Sequence, residues 1–394
     1  MDKYTWHLVQ IARLNNKTLL ESNSDIESPI RAWGRELIKS VSPPRNPKGE
    51  DTPGADRRYV FRHFTYISRS SLICVAYDYQ RKDDVVFKFC LPADPPAQEK
   101  KKKKTTFVKA REYVLNVYRE GLSKAKPHKN EDTERFKRGV LIQQQLHEKI
   151  RKKGLTELYV PAIYDFVPGG IEYKNQLYCI MELIDGQGLI EYCRDRTDQE
   201  VIELLYLIAR GLENIVHRFN VVHSDIKPAN ILVLNKRPVL LDFGISRVCQ
   251  HAELTSPSTR GLGTPAYSPA EQLENPLQRS FRDDIFALGR TFWAMWARRE
   301  PDLSDIVIEI GSDGREKYSD ESTQAALRAK FPSNIFPPEE REIFERAHNA
   351  NPALRYADIS EFRRDVELLK LKKYNTSSGI NWIPYLTKLM EIWQ

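Results

Sequence analysis

A change of periodicity along the chain restricts its fold more than any other feature. Between Tyr59 and Leu91, the stretches FTYISRSSLICVAYDY and DDVVFKFCL are rich in β-branched and aromatic residues and read as strands. Gln176–Leu183 and Tyr159–Phe166 have the same character, with helical patterns at Phe107–Glu120 and Asp132–Lys153 between them and the first strands. From Asp198 onward the apolar residues fall at helical spacing. Residues 198–220 form one long helix pattern with Asp198 as its expected cap, and apolar runs follow at Phe286–Trp296, Ile343–Ala347 and Val366–Leu371. Strands first and helices later predict an α+β chain of two lobes, a small antiparallel sheet followed by a larger helical body.

The ends are distinct. Residues 1–41 place Trp6, Val9, Ile11 and Leu14, then Ile30, Trp33, Leu37 and Ile38, at helical spacing, which predicts a helical extension. Residues 42–56, SPPRNPKGEDTPGAD, hold four prolines and two glycines and read as a linker. Residues 57–370 form the main body, divided near 182 and 183. Residues 371–394 form a tail in which Trp382, Ile383, Tyr385, Leu386, Leu389 and Trp393 are expected to pack on the body.

Charge and cysteine content narrow the function. Lys100–Lys153 carries 18 Lys and Arg against 6 Asp and Glu, so the rest of a chain of net charge +7 is acidic. The excess is local, within an insert at about 92–130 that includes five consecutive lysines, Lys100–Lys104. No aromatic platform accompanies that run, so nucleic acid is not the expected partner. The insert reads as a solvated loop or as a patch for an acidic partner. Five scattered cysteines without a C-x-x-C pair argue against a disulfide framework or a zinc site. No apolar run is long enough to span a bilayer and the N-terminus has no signal-peptide pattern, so a cytoplasmic protein is expected.

The chemistry concentrates in Val221–Leu234, VVHSDIKPANILVL, and in LLDFGIS, where Asp242 stands twelve residues after Asn230. Asp225, Lys227 and Asn230 fall on a short loop between a helix and a strand. Phosphoryl transfer needs such a set: a carboxylate to orient a hydroxyl, an ammonium for the moving charge, and a carboxylate and an amide as hard oxygen ligands for Mg²⁺.

These segments resemble the eukaryotic-type Ser/Thr protein kinase family. His223–Asn230 is similar to its catalytic loop, with Ser224 in place of arginine, and Asp242-Phe243-Gly244 matches D-F-G. Gly263-Thr264-Pro265-Ala266-Tyr267 and Pro269-Ala270-Glu271 resemble the end of its activation segment. Asp284 and Gly289 resemble the fixed residues of its central helix, and Arg355 the arginine that pairs with Glu271. The resemblance covers about residues 59–370 and implies a protein kinase domain at 57–370, with an N-lobe at about 57–182 and a C-lobe at about 183–370. Lys227, together with Gly263-Thr264, resembles the Ser/Thr rather than the tyrosine branch.

The resemblance also implies roles. Asp225 would orient the substrate hydroxyl, Lys227 stabilise the transferring phosphoryl group, and Asn230 and Asp242 hold Mg²⁺, or Mn²⁺ in its place. Lys88, in Val85-Val86-Phe87-Lys88, would grip the α- and β-phosphates of ATP, with Met181, Glu182 and Ile184 at the adenine. The substrate would be a Ser or Thr of a protein, this chain itself included. Five positions depart from the pattern. Ser68, Ser70 and Ile73 stand where the phosphate loop has glycines, and Gly139 stands where a helix glutamate would pair with Lys88. Gln143 lies one turn on, and Glu134 fits only in another register. Ser224 implies that no activation-segment phosphate at Thr255, Ser256, Ser258 or Thr259 is needed. A pseudokinase scaffold, or a binding module, would account for the altered N-lobe but not for the polar set at 223–244. A small-molecule phosphotransferase would lack Gly263–Glu271, Asp284 and Arg355.

Overall fold

The computed structural model describes residues 57–67, 71–90, 131–167, 177–248, 263–275, 279–306 and 321–374, with 35, 38, 39, 41 and 42. Ser68 and Ser70, the insert at 92–130 with its expected helix, Thr255 to Thr259 and the aromatic part of the tail lie outside these residues. The chain divides into two compact units, 1–141 with 162–183, and 142–161 with 184–394.

The first unit is built on a five-stranded antiparallel sheet of β1 (Tyr59–Ile67), β2 (Ser71–Asp78), β3 (Asp83–Cys90), β4 (Ile163–Val167) and β5 (Tyr178–Glu182), in the order β1-β2-β3-β5-β4. Side chains alternate across a strand, and β3 buries both sets. Val85, Phe87 and Phe89 join Tyr59, Tyr178 and Ile180 in one apolar cluster, where Phe87 meets the Tyr59 ring edge-on at 5.0 Å. Ile38 and Val41, from the N-terminal extension, belong to that same cluster. The Ser42 hydroxyl accepts the Tyr59 N–H at 2.9 Å, and the Tyr178 hydroxyl donates to the Val41 carbonyl at 3.4 Å. Burying Ile38 and Val41 contributes about 1.5–3 kcal/mol each. Ile38 and Val41 are therefore part of the core of the sheet unit.

Cys179 belongs to a second cluster with Leu177 and with Phe136 and Val140 of helix α1 (Glu131–Lys153). The later turns of α1 supply Ile142, Leu146 and Ile150 to the core of the second unit.

That second unit is mainly helical. After α2 (Leu189–Arg194) comes α3 (Asp198–Gly211), and the sequence assigned its cap one residue late. Thr197 is the cap: its hydroxyl accepts the Glu200 N–H while the Glu200 carboxylate accepts the Thr197 N–H, a reciprocal box. Asp198 is the first helical residue and holds Arg298 at 2.7 Å. Nor does the expected 198–220 pattern run as one α-helix. It widens into a π turn at Leu212–Val216, tightens into a 3₁₀ turn at His217–Phe219 and stops at Asn220, whose φ of 57° takes the left-handed form that ends helices. Short strands follow: β7 (Val221–Val222), β8 (Ile231–Leu234), β9 (Arg237–Leu240) and β10 (Arg247–Val248), with β6 (Gln187–Gly188) paired to β8. Then come α4 (Ala270–Glu274), α5 (Phe281–Ala297), α6 (Glu321–Ala329), α7 (Pro338–Ala347) and α8 (Ile359–Leu369). Helix α5 is buried from Asp283 to Trp296 and is the axis of this unit. Among the described residues, Cys74, Cys90, Cys179 and Cys193 form no disulfide.

Candidate active site

Asp284, fully buried near the start of α5, holds the loop that carries the candidate residues of the second unit. One carboxylate oxygen accepts the Ser224 N–H at 2.7 Å. The other accepts the His223 N–H at 2.8 Å and lies 3.1 Å from His217 Nε2. Bonds from buried donors to an ionised oxygen are worth about 1.5–3 kcal/mol each, enough to hold Ser224 at a φ of 68°. His223 is buried, which lowers its pKa and keeps the ring neutral at pH 7. The neutral ring uses both nitrogens. Nε2 donates to the Leu241 carbonyl at 3.0 Å, and Nδ1 accepts the Asp225 N–H at 3.3 Å. Phe243 packs edge-on against this ring at 4.9 Å, so His223 ties the 223–230 loop to the D-F-G segment twice.

Asp225, Lys227 and Thr264 form a closed triangle. The Lys227 ammonium lies 2.8 Å from Asp225 Oδ2 and donates to Thr264 Oγ1 at 2.6 Å, and the Thr264 hydroxyl donates to Asp225 Oδ1 at 2.8 Å. Asn230 completes the group: its Nδ2 donates to the Asp225 carbonyl and to Asp225 Oδ2, both at 2.9 Å. With the nitrogen so committed, the Asn230 amide offers Oδ1 as its acceptor. Pro228 at the start of the 3₁₀ turn Pro228–Asn230 fixes φ where the chain leaves Lys227, and β8 begins at once after Asn230.

Asp242 has a φ of 57°, and its Oδ1 accepts the Gly244 N–H at 3.0 Å. A Cβ on Gly244 would sit 2.9 Å from that oxygen, so a larger residue there would displace the Asp242 carboxylate. Gly263 is constrained more tightly. Its φ is 120°, and a Cβ would fall 2.2 Å from Ser268 Oγ and 2.5 Å from Gln272 Nε2. Glu271 pairs with Arg355, whose guanidinium is buried and also donates to the carbonyls of Asn349 and Ala350.

In the first unit, Lys88 is half-buried on β3 and faces Ile73 on β2 and Cys179 on β5 in register. Cross-strand partners share a face, so Lys88 is on the side of the sheet that Phe136 and Val140 cover. Gly139 is buried on the same side of α1. Of the two alternatives for its missing carboxylate, Glu134 pairs with Lys137 at 3.0 Å on the surface, and the Gln143 amide donates to the Pro161 carbonyl at 3.0 Å. Met181 faces Val86 and Glu182 faces Val85 at the end of β5, where the Glu182 carboxylate accepts the Ala162 N–H at 3.0 Å. Ile184 begins the second unit in an irregular stretch before β6.

Two residues of this network were absent from the sequence-derived site. Thr264 belongs to the Gly263–Tyr267 motif, whose spacing does not disclose the contacts of its hydroxyl. Arg279 carried no signal at all, although its guanidinium donates to Ser224 Oγ at 3.1 Å.

A small antiparallel sheet with one helix, followed by a helical unit carrying the H-x-D-x-x-x-x-N and D-F-G segments, defines the protein-kinase class of fold. The protein kinase domain family matches residues 123–358, more than half of the sequence, and the chain belongs to that family. "Probable serine/threonine-protein kinase SCO3848" of Streptomyces coelicolor is 29% identical over 213 residues, which are 53% of this chain and 30% of that protein. "Serine/threonine-protein kinase PknL" of Mycobacterium tuberculosis is 31% identical over 212 residues, 53% of this chain and 50% of that one. Human "Serine/threonine-protein kinase Nek2" is 29% identical over 234 residues, 54% of this chain and 51% of that one. The chain thus matches about half or less of each relative's length. No helix among the described residues is long and apolar enough to cross a membrane.

Proposed function

We propose that this chain is a Ser/Thr protein kinase that transfers the γ-phosphoryl group of Mg²⁺·ATP to hydroxyls of protein substrates, itself among them. The triangle of Asp225, Lys227 and Thr264 carries this reading. It sets an ionised carboxylate and an ammonium side by side, the pair that phosphoryl transfer to a hydroxyl requires. In the reaction Asp225 accepts the hydrogen bond of the incoming Ser or Thr and orients its oxygen. Lys227 offsets charge on the phosphoryl oxygens as the bond to the leaving diphosphate lengthens. Thr264 holds both side chains in register. Lys88 binds the α- and β-phosphates, and the backbone at Glu182 and Ile184 takes the adenine.

The donor set suits a hard cation. Asp242 and Asn230 would hold Mg²⁺, or Mn²⁺, through oxygen. Among the described residues no group of three His, Cys, Asp or Glu gathers, so the remaining ligands would be phosphate oxygens and water. The metal would supply charge neutralisation at the β- and γ-phosphates.

The names of the relatives support the Ser/Thr assignment, and a cytoplasmic location and an acidic partner at Lys100–Lys104 belong to the same proposal. Phosphoamino-acid analysis of a generic protein acceptor, after incubation with γ-labelled Mg²⁺·ATP, tests it. Label on serine or threonine is expected. Label confined to tyrosine, or no label on any acceptor, would overturn it in favour of a scaffold.

A further inference from the structure

Ser224 is only 2% exposed, and each of its polar groups is engaged. Its N–H donates to Asp284, its carbonyl accepts from Gln272 Nε2 at 2.8 Å, and its hydroxyl accepts from Arg279 Nη1. Arg279 is itself buried, at 8% exposure, just before the first turn of α5. The same nitrogen, Nη1, donates to the carbonyl of Ile245, directly after the D-F-G glycine. That segment is further bound to the loop by the Ser246 hydroxyl, which donates to the His223 carbonyl at 3.0 Å, and by the pairing of β10 with β7. A guanidinium therefore sits beside position 224 although residue 224 does not carry one.

A buried cation costs several kcal/mol to desolvate unless its hydrogens find acceptors. The acceptors at Ser224 and Ile245 belong to the two segments whose relative placement sets Asp225 against Asp242. We propose that Arg279 is a positioning residue for phosphoryl transfer. It clamps the D-F-G segment to the catalytic loop from the α5 side, so that their alignment needs no phosphate on residues 249–262. Its catalytic consequence rests on the kinase reading above; the clamp itself does not.

The test therefore has two arms. Hydrogen exchange on wild-type protein and on Arg279→Met reads the clamp without any activity. The Ser246 and Val248 amides are expected to exchange at least about tenfold faster in the variant, with helix 198–211 unchanged. An equal rise throughout the second unit would mark Arg279 as a general stability residue, and no rise at 246–248 would refute the clamp. In the second arm, Arg279→Met is expected to lower kcat about 10–100-fold with little change in the KM for ATP, and Arg279→Lys to recover part of it. Ser224→Ala added to Arg279→Met should cost little more, because the two share one bond. Phosphatase treatment should leave the wild-type rate within about twofold. A kcat loss that Lys does not relieve, or a collapse upon phosphatase treatment, would overturn the proposal. An inactive wild type with the expected exchange pattern would instead defeat the kinase reading and leave the clamp standing.

Discussion

Thr264→Val removes one oxygen while keeping the β-branched shape, and so isolates what holds Asp225 and Lys227 together. The wild-type hydroxyl donates to Asp225 and accepts from Lys227, at 2.8 and 2.6 Å. A hydrogen bond to a charged partner is worth about 1.5–3 kcal/mol when shielded. Asp225 and Lys227 keep 14% and 20% of their side-chain exposure, so water replaces part of each bond and about 1.5–3 kcal/mol remains for the two. At about 1.4 kcal/mol per decade, kcat should fall roughly 10–100-fold. The direct Asp225–Lys227 pair survives, which bounds the loss. Steady-state kinetics with Mg²⁺·ATP and a protein acceptor would show the fall in kcat with KM for ATP nearly constant, since Thr264 contacts none of the groups assigned to the adenine or to the α- and β-phosphates. Thr264→Ser should return most of the rate. A Val variant of unchanged melting temperature whose kcat lies within threefold of wild type would refute the positioning argument.

Two further outcomes follow from the second unit. Arg355→Ala removes a buried guanidinium that serves Glu271 and two carbonyls, and should cost about 3 kcal/mol in denaturant unfolding; a loss below about 1 kcal/mol would count against it. His348, stacked on Phe344 at 4.1 Å, has its pKa pushed down by burial to about 4. The folded ring stays neutral while the unfolded one takes a proton below about pH 6.5, so its contribution is complete above that pH and is lost as pH falls toward 4. At pH 5 that loss is about 2 kcal/mol. Burial pushes the Asp283 carboxyl up to about 6, which acts in the opposite sense, so the comparison must be with His348→Phe. The variant should be less sensitive to acid between pH 7 and 5 by that amount, and identical pH profiles would disprove the assignment.

Much of this was legible in the residues because the chemistry is local. His223, Asp225, Lys227 and Asn230 lie within eight residues, and a run that short has few ways to place an acid and an amide around a lysine. The strands of the first unit were legible from β-branched and aromatic runs whose alternate residues meet different clusters. Contacts distant in sequence were not. Arg279 reaches Ser224 across 55 residues, and a buried arginine reads like a surface one until its acceptors are known. Ile38 was visible as an apolar residue at helical spacing, but nothing in that spacing says which sheet face it and Val41 cover. The cap of α3 was misplaced by one residue because Thr197 and Asp198 are both good caps, and the reciprocal bond with Glu200 decides between them. The end of that helix was hidden for a related reason: Leu212, Val216 and Phe219 keep a helical spacing while the backbone changes its hydrogen-bond period.

We propose that Asp225 serves phosphoryl transfer in a kinase domain whose sequence has Ser68, Ser70 and Ile73 where the family resemblance expects phosphate-loop glycines and Gly139 where it expects a helix glutamate. The most direct measurement is a time course of phosphate incorporation from Mg²⁺·ATP by wild type beside Asp225→Ala, with the modified sites mapped by mass spectrometry and both proteins matched for folding. Incorporation on serine or threonine that falls at least about a thousandfold in the variant is the predicted result. Equal incorporation by both proteins, or none by a wild type that is folded and supplied with acceptor, would contradict it.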